Sequence, residues 1–351
     1  MILTTLQLQN FRSYKKQVWD FSGNTTLIIG NNGVGKTNLL EAIFLLATGS
    51  SFRADKDEQM VLYGQEFGRV SARVDDRDLE VVLTKPKRFL VNGVAKRKMD
   101  FIGNLRCVLF RPEDIDLILG SPSMRRNYLD FVLEQTDQEY RRSSLSYQKG
   151  LRQRNKLLER LREGQAERRQ LLFWDKLLIK NGTVITDKRA QYLDFVGRKI
   201  KQRGMPLKLN YDHSIISELR LKLYANNEVM AGKTLVGPHR DEFNFIYQRS
   251  GKLEKDLAIY GSRGEQRMAV LGVKLAELEY MDLPASASPQ ALQAGQSDRP
   301  VLLLDDIFSE LDHEHREEVL NLLEKQQTII TTTDEHLLPA KYKKKVDKIK
   351  L

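Results

Sequence analysis

Residues Leu27–Thr37 read LIIGNNGVGKT, an apolar run closing on Gly30-x-x-x-x-Gly35-Lys36-Thr37. A chain with this pattern is held to an α/β architecture, because the loop works only where a buried strand hands the backbone directly to a helix N-terminus. The glycines at 30, 33 and 35 let backbone N–H groups turn inward around phosphate oxygens, where a Cβ would intrude, and Asn31, Asn32 and Val34 complete the loop. Lys36 is placed to reach the β- and γ-phosphates of ATP, and Thr37 to offer its hydroxyl to Mg2+. The run from Asn38, NLLEAIFLLAT, opens a helix whose positive end faces the anion. A glycine-rich turn without function is the alternative, and the strand before and helix after weigh against it.

The length of 351 residues, 41% of them hydrophobic and 30% charged, suffices for one large or two moderate cores. No uninterrupted apolar run is long enough to cross a bilayer, and MILTTLQLQNFRSY alternates like a strand instead of following the order of a signal peptide, so a cytoplasmic location is expected. The single cysteine, Cys107, has no internal partner for a disulfide, and its apolar neighbours suggest a buried thiol of packing value. A net charge of +10 points toward a polyanionic partner, although nucleotide enzymes are often mildly basic for their own substrate.

Three segments differ in pattern. Residues 1–112 read as the first part of an ATPase lobe: the phosphate loop with its helix, and short strands VSARV, LEVVLTK, KRFLVNG and CVLF forming an antiparallel β layer, with Asn92-Gly93 as a hairpin turn. Residues 113–231 take a helical period and read as a helical second lobe, with Gly150, Gly164, Gly182 and Gly204 expected to interrupt the helices and no heptad sustained enough for a long coiled-coil arm. Residues 232–351 bring back a strand, FNFIYQ, then a helix, a small polar loop from Pro284 to Pro300, the run VLLLDDIFSELD, an amphipathic helix, the strand TIITTT and a lysine-rich tail.

VLLLDD supplies the second half of a nucleotide site. Its apolar residues suit a buried parallel strand that ends on Asp305, placed to hold Mg2+, followed by Asp306, placed to orient or deprotonate an attacking water. Ser262-Arg263-Gly264-Glu265-Gln266 opens a helix and reads in two ways: as an N-cap with Glu265 completing a capping box, or as a second phosphate-binding helix start using Ser262 and Gly264. Glu310 and Asp312 after the strand likewise read as a helix cap or as part of the site.

The order of phosphate loop, serine-glycine signature, VLLLDD and SELD resembles ABC-type ATPases of the SMC and Rad50 kind. Within that group the chain resembles the RecF family along most of its length: Asn10-Phe11-Arg12-Ser13-Tyr14, Gly49-Ser50-Ser51-Phe52-Arg53, Phe110-Arg111-Pro112-Glu113-Asp114, Gly120-x-Pro122-x-x-Arg125-Arg126-x-x-Leu129-Asp130 and Gly237-Pro238-His239-Arg240-Asp241. The resemblance implies an ABC-type P-loop ATPase head with an antiparallel β layer and a helical second lobe. It also implies an ATP-dependent homodimer that sandwiches each nucleotide between one protomer's phosphate loop and the other's Ser262 signature. Weak, DNA-stimulated ATP hydrolysis, binding to single-strand to double-strand junctions or gaps in DNA, cooperation with RecR and RecO in loading RecA, and a place at the nucleoid follow from the same likeness. Glu265 stands where the family usually has glutamine. Thr331-Thr332-Thr333 stand where ABC relatives often have a histidine, and Arg111-Pro112-Glu113-Asp114 where they have the Q-loop glutamine; slow hydrolysis is consistent with these substitutions.

Basic residues recur at Arg141, Arg142, Lys149, Arg152, Arg154, Lys156, Arg160, Arg162, Arg168 and Arg169, and again at Lys341, Lys343, Lys344, Lys345, Lys348 and Lys350. Either group serves as a solvated face or as a sequence-neutral phosphate-binding surface. His313 and His315, two apart at a helix start, do not share a face for a metal, and no zinc spacing or Ser-His-Asp set occurs. A transporter subunit uses the same nucleotide site, but the stretch from Lys36 to Ser262 is far longer than a compact transport ATPase needs. A small-molecule phosphoryl transferase would need a substrate pocket, and a non-hydrolysing scaffold would not need Lys36, Thr37, Asp305 and Asp306 together.

Overall fold

The computed structural model describes residues 1–248, 253–283, 299–309, 313–320, 322, 323, 325–334, 342 and 346–351. The chain divides into two units, one of Met1–Asp114 with Met281–Leu351 and one of Ile115–Tyr280.

In the first unit, β1 (Leu3–Phe11), β2 (Tyr14–Asp20), β4 (Gly68–Val74), β5 (Arg77–Leu83), β6 (Arg88–Val91) and β7 (Val94–Lys96) form an antiparallel sheet in the order β2-β1-β4-β5-β6-β7, with burial that runs from the alternating β4 to the exposed edge strand β7. Asn92 and Gly93 both take positive φ, 50° and 74°, and close the two-residue turn that pairs Val91 with Val94. Four largely buried strands, β3 (Thr25–Ile29), β8 (Cys107–Phe110), β12 (Val301–Asp305) and β13 (Thr328–Thr332), with the charged edge strand β14 (Val346–Lys350), form a second, all-parallel sheet ordered β14-β3-β13-β12-β8. CVLF was expected in the antiparallel layer; as β8 it pairs instead with β12, since all four of its residues are buried and none alternates toward solvent. The end of the lysine-rich tail is also an ordered strand: β14 carries Lys348 and Lys350 along the edge of this sheet, where lysines discourage further strand pairing.

Helix α1 (Lys36–Thr48) packs against strands of both sheets, so the unit has three layers. This explains why eleven of its thirteen residues are buried and why it lacks a polar face. It ends at Gly49, whose φ of 69° provides a left-handed cap. Short α2 (Lys98–Phe101) and α10 (His313–Leu320) complete the regular helices of the described residues in this unit.

The second unit is built from α3 (Asp116–Leu119), α4 (Pro122–Thr136), α5 (Gln138–Arg162), α6 (Leu172–Gln202), α7 (Glu218–Ala231), α8 (Leu257–Tyr260) and α9 (Arg263–Asp282). A three-stranded antiparallel sheet, β11 (Lys255–Asp256), β10 (Glu242–Tyr247) and β9 (Leu207–Asp212), belongs to it. The unit therefore runs beyond the boundary at 231 that the change of pattern suggested, because β9 and β10 pair across that position. Gly150 and Gly182 do not interrupt helices. They lie inside α5 and α6, where an added Cβ would come within 2.5 Å of Leu177 and Ile216 respectively, so they serve close packing. Gly164 and Gly204 do stand just beyond helix ends, at φ 72° and 70°.

Candidate functional site

Strand β3 delivers the chain to Gly30, whose N–H continues the ladder to Thr332 O at 3.3 Å. Asn31, Asn32, Gly33 and Val34 face solvent, while Gly35 turns inward at φ 113° and starts α1. A Cβ on Gly35 would lie 2.5 Å from Tyr14 Oη, so glycine is required both by the dihedral and by the close approach of the tyrosine. That phenol is buried beside Trp19, with ring centroids 5.0 Å apart, and burial pushes its pKa up to about 12. Lys36 Nζ donates to the carbonyls of Gly30 and Asn31 at 2.7 and 3.0 Å, which holds the ammonium over the loop.

The acidic half of the site comes from β12. Asp305 is 6% exposed, and its Oδ1 accepts from Thr37 Oγ1 at 3.2 Å and from Thr331 Oγ1 at 2.6 Å. Thr37 and Asp305 thus stand side by side, a hydroxyl and a carboxylate, as a hard cation with oxygen ligands requires. No group of three or more His, Cys, Asp or Glu side chains among the described residues is arranged to hold a metal alone, so a Mg2+ here would take most of its oxygens from phosphate and water. Asp306 follows in a left-handed conformation, φ 48°, and its N–H bonds to Thr331 O and Oγ1, both at 3.2 Å. Thr331 was noted only for what it replaces. Its role as the residue that fixes both aspartates has no local sequence signal, because it depends on the pairing of β13 with β12.

Two further motif stretches flank α1. Arg12 grips the fully buried Glu41 with two bonds of 2.8 and 2.6 Å, and Ser51 donates to the same carboxylate. Asn38 bonds to Ser13 at 3.0 Å and to Arg53 at 3.2 Å, and Arg111 lies 4.7 Å over the ring of Phe52.

In the second unit Ser262 and Glu265 form the reciprocal capping box at the start of α9: the Ser262 N–H donates to Glu265 Oε2 at 2.8 Å and the Glu265 N–H to Ser262 Oγ at 3.3 Å. Gly264 has open space where a Cβ would stand. The cap is therefore real, and it leaves the helix start accessible. Glu310, Leu311 and Asp312, the end of the SELD stretch, lie outside the described residues, as do Pro284 to Asp298 and Lys341, Lys343, Lys344 and Lys345.

The other motif residues of this unit converge on a buried arginine that sequence reasoning missed. Arg189 bonds to Asp130 at 2.8 Å, Asp241 at 3.0 Å, Pro238 O at 2.8 Å and Tyr140 Oη at 3.0 Å. Arg126 donates to Asp241 O at 3.0 Å. His239 bonds through its two nitrogens to Tyr147 Oη and Thr234 O, at 2.8 and 3.2 Å. These residues tie α4, α5 and α6 to β10 and hold structure.

The basic series of α5 is divided in the same way. Arg154 is 2% exposed and is enclosed by Asp175, Glu228 and Thr234 at 2.7, 2.7 and 2.9 Å, which removes it from any surface role. Arg142, Lys149, Arg152, Lys156 and Arg160 are exposed. At 100° per residue they occupy an arc of roughly 80°, opposite the buried face.

Residues 2–349 match the RecF/RecN/SMC N terminal domain family. The DNA replication and repair protein RecF of Moorella thermoacetica is 36% identical over 355 residues, covering 97% of this chain and 92% of that one. The chain belongs to the RecF family. RecF of Bacillus cytotoxicus is 33% identical over 95% of this chain and 92% of its own. The solved structure of the recombination mediator protein RecF with ATP, from the RecFOR pathway, matches with a TM-score of 0.82 at 32% identity, over 96% of this chain and 93% of that chain. An SMC head bound to the C-terminal winged-helix domain of ScpA matches at 16% identity with a TM-score of 0.50, a likeness of fold. RecF and SMC heads thus share with this chain the mixed α/β architecture of an ABC-type ATPase head.

Proposed function

We propose that the chain is an ATP-switched DNA repair ATPase, dimeric with ATP and slow in hydrolysis. The observation that carries this reading is the convergence of Lys36, Thr37 and Asp305 at the phosphate loop, with Thr331 fixing the aspartate. The backbone of Gly30 to Gly35 cradles the phosphates, Lys36 neutralises them, and Thr37 with Asp305 orients the Mg2+, which withdraws charge from the γ-phosphate when bound. Asp306, turned out of the strand by its positive φ, positions the attacking water. Ser262 and Gly264 of the opposite protomer supply the second wall of each site.

The names of the RecF relatives, the net charge of +10 and the one-sided array of α5 support DNA as the polyanion, at gaps or junctions. Cooperation with RecR and RecO in loading RecA is supported by the family and by the RecFOR pathway named for the ATP-bound relative. Among the described residues no helix is long and apolar enough to cross a membrane, in keeping with work in the cytoplasm at the nucleoid.

The test mixes two inactive proteins. Lys36→Ala removes the phosphate-binding cation and Ser262→Arg blocks the signature. In an equal mixture half the dimers are heterodimers, each with one intact composite site, so ATPase activity returns to roughly one quarter of the parent level. Heterodimers that form with ATP but do not hydrolyse it would overturn the shared-site reading, and so would full activity of Ser262→Arg alone.

A further inference from the structure

The signature helix carries a carboxylate where a phosphate is to be received. Glu265 sits in the first turn of α9, and an anion there uses the same helix field that an incoming γ-phosphate needs, while repelling that phosphate directly. Lys255 meets it from β11. Its Nζ lies 2.9 Å from both Glu265 oxygens, 4.8 Å over the ring of Tyr247 and 3.4 Å from Tyr260 O. With the Ser262 N–H at 2.8 Å, every strong contact of the carboxylate is a donor held in place by the fold. A half-open apolar cleft of about 260 Å³, lined by Met205, Pro206, Leu207, Tyr247 and Met268, adjoins the pair.

We propose that Lys255 is a positioning residue of the shared nucleotide site, neutralising Glu265 so that the signature helix of one protomer accepts the terminal phosphate held by the other. The inference rests on the shared-site reading above. Bonding to Lys255, followed by the Ser262 N–H, holds the Glu265 carboxyl below the usual carboxylate range, so the carboxylate stays charged and needs this partner throughout the neutral range. A capping box needs only Ser262 and Glu265, and it gives no reason for a third, cationic member fixed on a separate strand.

The experiment uses the mixed dimers, in which the one intact site takes its signature from the Lys36→Ala protomer. Lys255→Met added to that protomer exposes the carboxylate and lowers the recovered activity roughly tenfold, through the apparent affinity of ATP-driven dimerisation, while an isolated protomer that carries Lys255→Met alone, with Lys36 intact, binds ATP as the parent does. The same change on the Ser262→Arg protomer, whose signature is already blocked, adds no further loss. Glu265→Gln placed beside Lys255→Met restores activity to within about twofold, since the amide keeps the cap and removes the charge. A Lys255→Met/Glu265→Gln protomer as poor as Lys255→Met alone overturns the proposal, because a lysine that touches the nucleotide or merely braces the helix is not rescued by removing the carboxylate. Equal loss from either protomer overturns it as well. Parent mixtures that recover nothing would instead count against the shared site itself.

Discussion

Arg154→Met puts the division between surface and buried cations to a quantitative test. The guanidinium is 2% exposed and donates to Asp175, Glu228 and Thr234, and Glu228 is fully buried. Removing the arginine strands a buried carboxylate whose other bond, from the Leu235 N–H at 2.8 Å, satisfies only one oxygen. Loss of one member of a buried pair costs about 3–5 kcal/mol, and at about 2–4 °C per kcal/mol the unit should melt roughly 6–20 °C lower. Trp174 on α6 reports this unit, and a Trp19→Phe background leaves it as the sole tryptophan. Adding Glu228→Gln to Arg154→Met should recover part of the loss, because the amide keeps the bond to Leu235 without the charge. Arg152→Glu, two residues away and exposed, is the control. It should change stability by less than about 0.5 kcal/mol and lower the slope of log affinity for duplex DNA against log salt by about 0.9 or more. An Arg154→Met protein that melts with its parent, or that loses salt dependence in the manner of Arg152→Glu without loss of stability, would refute the assignment of Arg154 to the core.

Asp306→Asn should retain Mg2+-ATP and the ATP-driven dimer while hydrolysis falls by roughly 100-fold or more; Asp305→Asn should instead raise the Mg2+ concentration needed for nucleotide binding. Single-turnover hydrolysis beside equilibrium nucleotide binding separates the two, and normal turnover by Asp306→Asn would remove its proposed role. Burial pushes His239 down from 6.5 to about 4, so the unfolded chain holds the extra proton between those values. Its contribution is intact above about pH 6.5 and is lost as pH falls toward 4, by about 3 kcal/mol at the acid end. His239→Gln should flatten that part of the stability curve in urea melts from pH 4 to 7, and an unchanged slope would show that the histidine is not buried in its neutral form.

The meeting of the phosphate-loop run with the end of VLLLDD was legible because its signals are local: Gly30 to Thr37 and Val301 to Asp306 are short runs whose meaning comes from their own order. The role of Thr331 was not, since nothing near it announces that β13 will pair with β12. Arg154 and Arg152 are indistinguishable in composition, and only the direction in which α5 presents them separates a structural cation from a surface one. Gly150 and Gly182 read as breaks because the helices that press against them are unknown from the sequence. Strand β9 escaped notice because Leu207, Leu209 and Tyr211, which are only half-buried, alternate with Lys208, Asn210 and Asp212 inside an otherwise helical stretch.

The first unit is discontinuous, with Ile115–Tyr280 lying between its two parts, and this orders events during synthesis. Strand β3 emerges early, yet its neighbours on both sides, β13 and β14, are made only after the whole inserted unit. Thr25 Oγ1 bonds to Leu323 O, 298 positions away, and the Leu3 N–H to Gln327, 324 away. The inserted unit is continuous and carries its own core, so it is free to fold while the ribosome is still working, whereas the phosphate-loop sheet waits for β12, β13 and β14. Until then the apolar faces of β3 and α1 are without their final cover. A nascent chain stalled before residue 300 should therefore leave LIIG, and the side of NLLEAIFLLAT that packs on β12 and β13, uncovered together, a vulnerability set by topology and not by final stability.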